Sequence, residues 1–174
     1  MIKTKSIHPR GLFTASIANA GNMVGLAMIN ALVILYCTRQ LNIPIKQAYA
    51  LYAAFEALFY SASLFGGYIG GRFDYVLSII VGSALAGSGS FLLASSDKST
   101  LYLGLAAFVV GSGLVTSNVY CIIGKLYAKD DGRRDGGFTI AYMLTNIGGV
   151  AAALSSGFLA TYCGFHTAFF ISAS

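Results

Sequence analysis

Five long apolar stretches, separated by short polar breaks, organise this chain. They run over about 12–37, 48–70, 75–94, 101–125 and 137–162. Crossing the hydrocarbon core of a bilayer takes about 20 helical residues at roughly 1.5 Å each, so each stretch predicts one transmembrane helix. A soluble helix of this length would carry a polar face, and these stretches have almost none. A sixth apolar stretch begins near Phe165 and reaches Ser174, enough for roughly half a crossing. The loops are short, which predicts a compact bundle with sequential helices near each other. The expected fold class is all-α integral membrane, with residues 1–174 in one transmembrane bundle and no soluble domain.

The densest charge, over Gly124–Phe138, separates the fourth and fifth stretches and marks a loop at a membrane face. The whole chain is 56% hydrophobic and 10% charged, with a mean hydropathy of +0.72. That is too apolar for a soluble domain of this size. Its 21 glycines suit packed transmembrane helices, where small residues let backbones approach. The net charge of +5 does not point to nucleic acid, because the basic residues stand at the ends of apolar stretches, as topology determinants do. Lys3, Lys5, Arg10, Arg72, Lys125, Lys129, Arg133 and Arg134 fall on one side, and Arg39, Lys46 and Lys98 on the other. This bias predicts a cytoplasmic N-terminus and cytoplasmic loops at 71–74 and 126–136. Met1–Arg10 leads into an apolar stretch too long for a signal core, so a retained first helix is expected. Cys37, Cys121 and Cys163 show no CxxC spacing and no His cluster, which offers no metal or redox site. No phosphate loop, nucleophile elbow or HExxH motif is present, so no catalytic residue and no enzyme are expected.

In hydrocarbon a polar group must find a partner, so it faces the bundle interior or a wet cavity. At about 100° per residue, Asn19, Asn22 and Asn30 make one stripe on the first helix. They either bond neighbouring helices, at roughly 0.6–2 kcal/mol per contact, or wall a cavity. Glu56 is the one acidic residue deep within a stretch. A carboxyl there is protonated, paired or in contact with water, since an ionised one costs ~2.5 kcal/mol or more. Glu56 is therefore a proton-coupling candidate, with a static bond to the Asn stripe and a partner on further helices as rival readings. Ser112, Thr116, Ser117, Asn118 and Tyr120 form a polar patch on the fourth helix, and Thr139, Tyr142, Thr145 and Asn146 another on the fifth. Such groups bind the polar parts of a substrate or tie helices together. Gly66 with Gly70, and Gly67 with Gly71, are overlapping GxxxG pairs that predict close helix contacts.

Within Gly124–Phe138, the residues Tyr127, Asp131, Arg133, Arg134, Asp135, Gly137 and Phe138 form an ordered signature. It resembles the cytoplasmic loop between helices four and five of the proton-dependent oligopeptide transporters, a branch of the major facilitator superfamily. Tyr142-Met143-Leu144-Thr145-Asn146-Ile147-Gly148 is similar to that family's aromatic-then-Asn-x-Gly signature, and Tyr162-Cys163-Gly164-Phe165-His166 to its turn before helix six. Gly111-Ser112-Gly113-Leu114 with Asn118 resembles the fourth helix. Leu51-Tyr52, Phe55, Tyr60 and Gly66-Gly67 resemble the second, and Ala31–Tyr36 the end of the first. The chain also departs from the pattern. Where the family's first helix carries ExxER, Asn19, Asn22 and Met23 stand here. The fourth-helix Lys-Pro-Asn becomes Thr116-Ser117-Asn118, and the superfamily's Asp after helix two aligns with Gly71 beside Arg72. Losing carboxylates and lysine together is coherent, because removing one side alone would strand a charge in the membrane.

The resemblance implies the N-terminal helix bundle of a major facilitator fold, with five full helices plus a truncated sixth. It implies alternating access by two six-helix bundles around a central cavity in the cell (inner) membrane. Protons would move alongside di- or tripeptides, and no cofactor is implied beyond the proton as coupling ion. Small peptides, the lipid bilayer and a C-terminal half outside this chain are the implied partners; nucleic acid is not among them. Substrate contacts are expected at Asn22, Asn118, Tyr142 and Asn146, and proton coupling at Glu56. Arg72, Asp131, Arg133, Arg134 and Asp135 are expected to form a cytoplasmic gate of ion pairs. The chain is expected to be a truncated or degenerate transporter; a non-transporting remnant or a membrane assembly partner is the alternative.

Overall fold

The computed structural model describes residues 8–95, 98–162, 164, 167 and 169. Five helices hold nearly all of them: α1 (Arg10–Arg39), α2 (Ile45–Arg72), α3 (Tyr75–Leu93), α4 (Lys98–Lys125) and α5 (Arg134–Tyr162). Each is long and apolar enough to cross a membrane. All but α3 reach a little past the apolar stretch behind them, and the added residues include Arg10, Arg39, Arg72 and Arg134. A basic residue can stay helical at a membrane face because its long stem lets the charge reach water. The expected partial sixth span, with Cys163 and His166, lies outside the described residues except at Thr167 and Phe169, and so do Lys3 and Lys5.

Helix starts follow from local chemistry. Both prolines of the chain, Pro9 and Pro44, stand at N-caps, of α1 and α2, where a missing N–H costs nothing. Asp74 caps α3, its carboxylate accepting from the Leu77 N–H at 2.8 Å. Between α1 and α2, Asn42 takes φ 52°, a left-handed conformation that Asn tolerates better than most residues.

The packing departs from the expectation that sequential helices lie together. Of the sequential pairs, only α3 and α4 pack extensively; otherwise α1 lies along α5, and α2 along α4. Lipid tails are as apolar as the helices, so no hydrophobic force holds a hairpin together, and the pairing goes where small residues permit backbone contact. On the α3–α4 face, a methyl group on Gly89 would sit 2.5 Å from the Phe108 nitrogen, and one on Gly82 2.7 Å from the Gly111 carbonyl oxygen. One on Gly111 would collide with the backbone of Gly82 and Ala86. Across the α2–α4 face, Gly66 would meet the Gly113 carbonyl at 2.8 Å. Of the two GxxxG pairs, Gly66 and Gly70 face α4 closely, while Gly67 has only ordinary contact there.

Polarity is arranged for lipid. Ser16, Asn19, Ser90, Ser112 and Asn118 are fully enclosed, whereas Leu64 and Leu154 are each 78% exposed. Residues facing outward on α2 and α5 are largely aromatic or aliphatic, and these two helices have the least buried apolar windows.

Gly89→Leu or Gly111→Leu forces α3 from α4 and is expected to cost at least 1–3 kcal/mol, as overpacking does. Gly21 and Gly157 have open space around them, so Leu there should leave stability unchanged or slightly raised. Thermal unfolding of the four variants in detergent micelles checks this; equal losses in all four would refute the packing account.

Candidate functional site

The Asn stripe of α1 is divided between bonding and lining. Asn19 is fully buried and its Nδ2 donates to Thr145 Oγ1 of α5 at 3.0 Å. The Thr145 hydroxyl in turn donates a hydrogen bond to the Ala141 carbonyl at 2.8 Å. Asn22 Nδ2 donates to Thr116 Oγ1 of α4 at 3.0 Å. These bonds join α1 to both helices that carry the polar patches. Asn30, the third member, lines a cavity of about 280 Å³ between α1 and α5, with Thr145, Asn146, Met23 and Val150. Its Oδ1 is buried and no donor among the described residues reaches it.

The four expected substrate contacts do not converge. Asn118 is sealed between α4 and α2, donating to the Gly66 carbonyl at 3.0 Å and the Leu114 carbonyl at 2.7 Å. Its Oδ1 occupies the space that a side chain on Gly70 would need. Asn22 is held by Thr116, as above. Asn146 lines the α1–α5 cavity and donates to the Tyr142 carbonyl at 2.8 Å, and Tyr142 itself stands 63% exposed on α5.

Glu56 lies near the middle of α2, next to Phe55, whose ring stacks on Phe108 of α4 at 6.3 Å. One carboxyl oxygen, Oε1, is buried without a hydrogen bond. Ser63, two turns along the same helix face, likewise has a buried hydroxyl without one. Among the described residues no cation pairs with Glu56.

At the loop end, Tyr127 organises the chain. Its ring and hydroxyl rest against Gly137, where any Cβ would collide with them. Its Oη lies 2.9 Å from His8 Nδ1 in a hydrogen bond, which ties the start of the described chain to the loop. Enclosure pushes the phenol pKa up. Asp131 takes Arg133 three ways: the backbone N–H and Nε on Oδ1, each at 3.0 Å, and Nη2 on Oδ2 at 2.7 Å. The carboxylate raises the affinity of that guanidinium for its proton. The pair is local to the loop. Arg134 turns toward the ring of Phe138, 5.9 Å away, while Asp135 and Arg72 are exposed. The expected gate residues therefore share one end of the bundle without forming a single network in this bundle alone.

The sequence singles out Asn22 and Asn118 as substrate contacts and leaves Asn30 and Thr145 as members of a stripe and a patch. Helix phase groups the α1 asparagines, but it carries no signal for which inward side chains find partners.

The family model of the Major Facilitator Superfamily matches residues 15–174. The chain is 35% identical over 150 residues to dipeptide and tripeptide permease A of Salmonella typhi, covering 83% of this chain and 29% of the permease. It is 32% identical over 170 residues to dipeptide and tripeptide permease A of Erwinia pyrifoliae, covering 94% of this chain and 34% of that one. A crystal structure of a POT family transporter in complex with 5-aminolevulinic acid superposes with a TM-score of 0.90 at 27% identity, covering 95% of this chain and 36% of that one. A crystal structure of peptide transporter POT in complex with sulfate does so with a TM-score of 0.90 at 29% identity, covering 95% and 35%. The chain thus spans about a third of the length of the relatives it matches. With five membrane-length helices in this arrangement, the chain is a multi-pass membrane protein that belongs to the Major Facilitator Superfamily, in its oligopeptide-transporter branch.

Proposed function

We propose that this chain is the first bundle of a di- or tripeptide carrier, working by alternating access with a second six-helix bundle, and not an enzyme. One observation carries the reading: the amides and hydroxyls of α1, α4 and α5 gather between those helices in a fold shared with relatives named as peptide permeases. Asn146 and Tyr142 offer a polar edge and an aromatic face for the substrate, with Asn30 behind them. Asn22 and Asn118 hold the helices that present this wall. The N-terminus and the loop at 126–133 lie in the cytoplasm, on the side favoured by the basic residues, in the inner membrane. In the loop, Asp131 and Arg133 fix the chain's path, and Arg72, Arg134 and Asp135 face the second bundle or the headgroups.

Coupling is the open half of the mechanism. The Asn22–Thr116 bond joins the positions where the family places a carboxylate and a lysine, so a neutral bond stands in for a charged pair. This favours a second reading, a bundle that assembles in the membrane without driving transport. Glu56 decides between them. It is the one carboxyl deep within a span, and a group with one oxygen buried and unbonded is suited to taking a proton in one state and releasing it to water in the other.

A chimera in which residues 10–162 replace the matching segment of the Salmonella typhi permease tests both readings in proteoliposomes. Labelled dipeptide should accumulate under an inward proton gradient, and Glu56→Gln should reduce accumulation to the level of exchange without a gradient. Gradient-driven uptake untouched by Glu56→Gln removes Glu56 from coupling; no uptake at all, by a chimera that folds, favours the second reading.

The pair of positions gives a separate check. Asn22→Glu alone should destabilise the bundle by about 3–5 kcal/mol, because it buries an unpaired charge. Adding Thr116→Lys should recover most of the loss. Thermal unfolding in detergent measures both; a double variant no better than the single would mean that the two side chains do not face each other.

A further inference from the structure

We propose that the cavity at the loop-bearing end of the bundle is a phosphate site, filled by the phosphate of an anionic lipid headgroup. The cavity measures about 610 Å³ and opens between the start of α3, the last turn of α4 and the first turn of α5. Three cations line it, Lys125, Lys129 and Arg134, and no carboxylate does. Acids are close in sequence but otherwise placed. Asp131 is taken by Arg133, and Asp130 and Asp135 are exposed away from the lining. Among the described residues none of the three cations is in an ion pair.

Aromatic faces position these charges. Lys125 Nζ sits 4.1 Å from the centroid of the Tyr75 ring, close enough for a cation–π contact. Arg134 lies 5.9 Å from Phe138, whose ring stacks on Tyr120 at 6.4 Å. The rings orient Lys125 and Arg134 and neutralise neither. Three like charges around one cavity repel each other, and an anion with several acceptor oxygens relieves that repulsion while satisfying several N–H donors at once. Phosphate has this form, and Arg and Lys are its usual binders.

The surroundings favour a lipid as its bearer. The cavity lies at the ends of three helices long and apolar enough to cross a membrane, and the ends of such helices meet the headgroups. Its walls between the cations are mostly aromatic rings, which suit the glycerol and first methylenes that a headgroup phosphate brings with it. Basic residues at the anionic leaflet also gain from its surface potential. The proposal needs only the membrane fold and is independent of the transport reading.

The test uses the full chain in a neutral detergent, with bound lipid counted by native mass spectrometry. Phosphatidylglycerol should bind at least about tenfold more tightly than phosphatidylcholine. Lys125→Ala/Lys129→Ala/Arg134→Ala should abolish the preference. Lys125→Arg/Lys129→Arg/Arg134→Lys, which keeps the charge, should retain it and so exclude misfolding as the cause. A second arm follows maleimide labelling of Cys121, which lines the cavity, read by peptide mass. Protection by inorganic phosphate without lipid preference would support the phosphate site and assign it to the free ion. Equal binding of the two lipids with no protection by phosphate would overturn the proposal. So would a preference that survives in the neutral triple variant.

Discussion

Along α4 the backbone of one helix touches the backbone of the next, and that approach fixes how α2 and α3 sit on it. Gly82 and Gly89 of α3 meet Gly111 and Gly104 of α4, while Gly66 of α2 meets Gly113. Hydrocarbon offers helices no reason to associate for the sake of burying apolar surface, so close dispersion contact and internal hydrogen bonds must hold them. Asn118 shows the dependence. Its amide reaches the Gly66 carbonyl at 3.0 Å only because α2 and α4 lie at backbone distance, and its Oδ1 fits only because Gly70 has no side chain. A larger residue at either glycine would remove the hydrogen bond along with the packing.

The same closeness lets α1 span two partners with short side chains. Asn19 bonds α5 and Asn22 bonds α4, each at 3.0 Å. Amide-to-hydroxyl bonds keep their form whatever the pH, so these joints are permanent and do not respond to a proton. A carboxylate and a lysine in the same places would respond, at the risk of a stranded charge whenever one partner changed state. The joint here is neutral, and the carboxyl deep within a span stands on another helix, at Glu56.

Much of this was legible in the sequence, for reasons that also mark the limit. Span length and the lack of polar faces located five helices, since a bilayer sets a minimum length that composition reveals. Asn19, Asn22 and Asn30 fell on one stripe by angle alone. The pairing of α1 with α5 and of α2 with α4 was not legible, because it depends on which small residues meet across space, and helix phase does not say which glycine faces which. Lys125 and Lys129 read as topology determinants; their placement around an aromatic cavity depends on Tyr75 and Phe138, which the chain brings in from other helices. Tyr127 and Gly137 were visible as parts of a signature. The physical tie between them, a ring resting where a Cβ would collide, needed three dimensions.

Unpaired polar atoms are a cost that this bundle carries. Among the described residues Ser16 Oγ, Asn19 Oδ1, Asn30 Oδ1, Glu56 Oε1, Ser63 Oγ, Ser112 Oγ and Asn118 Oδ1 are buried without a hydrogen bond. An unsatisfied polar atom costs roughly 1–3 kcal/mol in a protein interior, and hydrocarbon is no more forgiving. Asn19 and Asn118 offset that cost with the bonds their amide nitrogens make. Asn30 and Glu56 have no such compensation among the described residues. Under the proposed reading, donors that come and go would satisfy them: a proton on Glu56, and a substrate amide at the cavity wall beside Asn30.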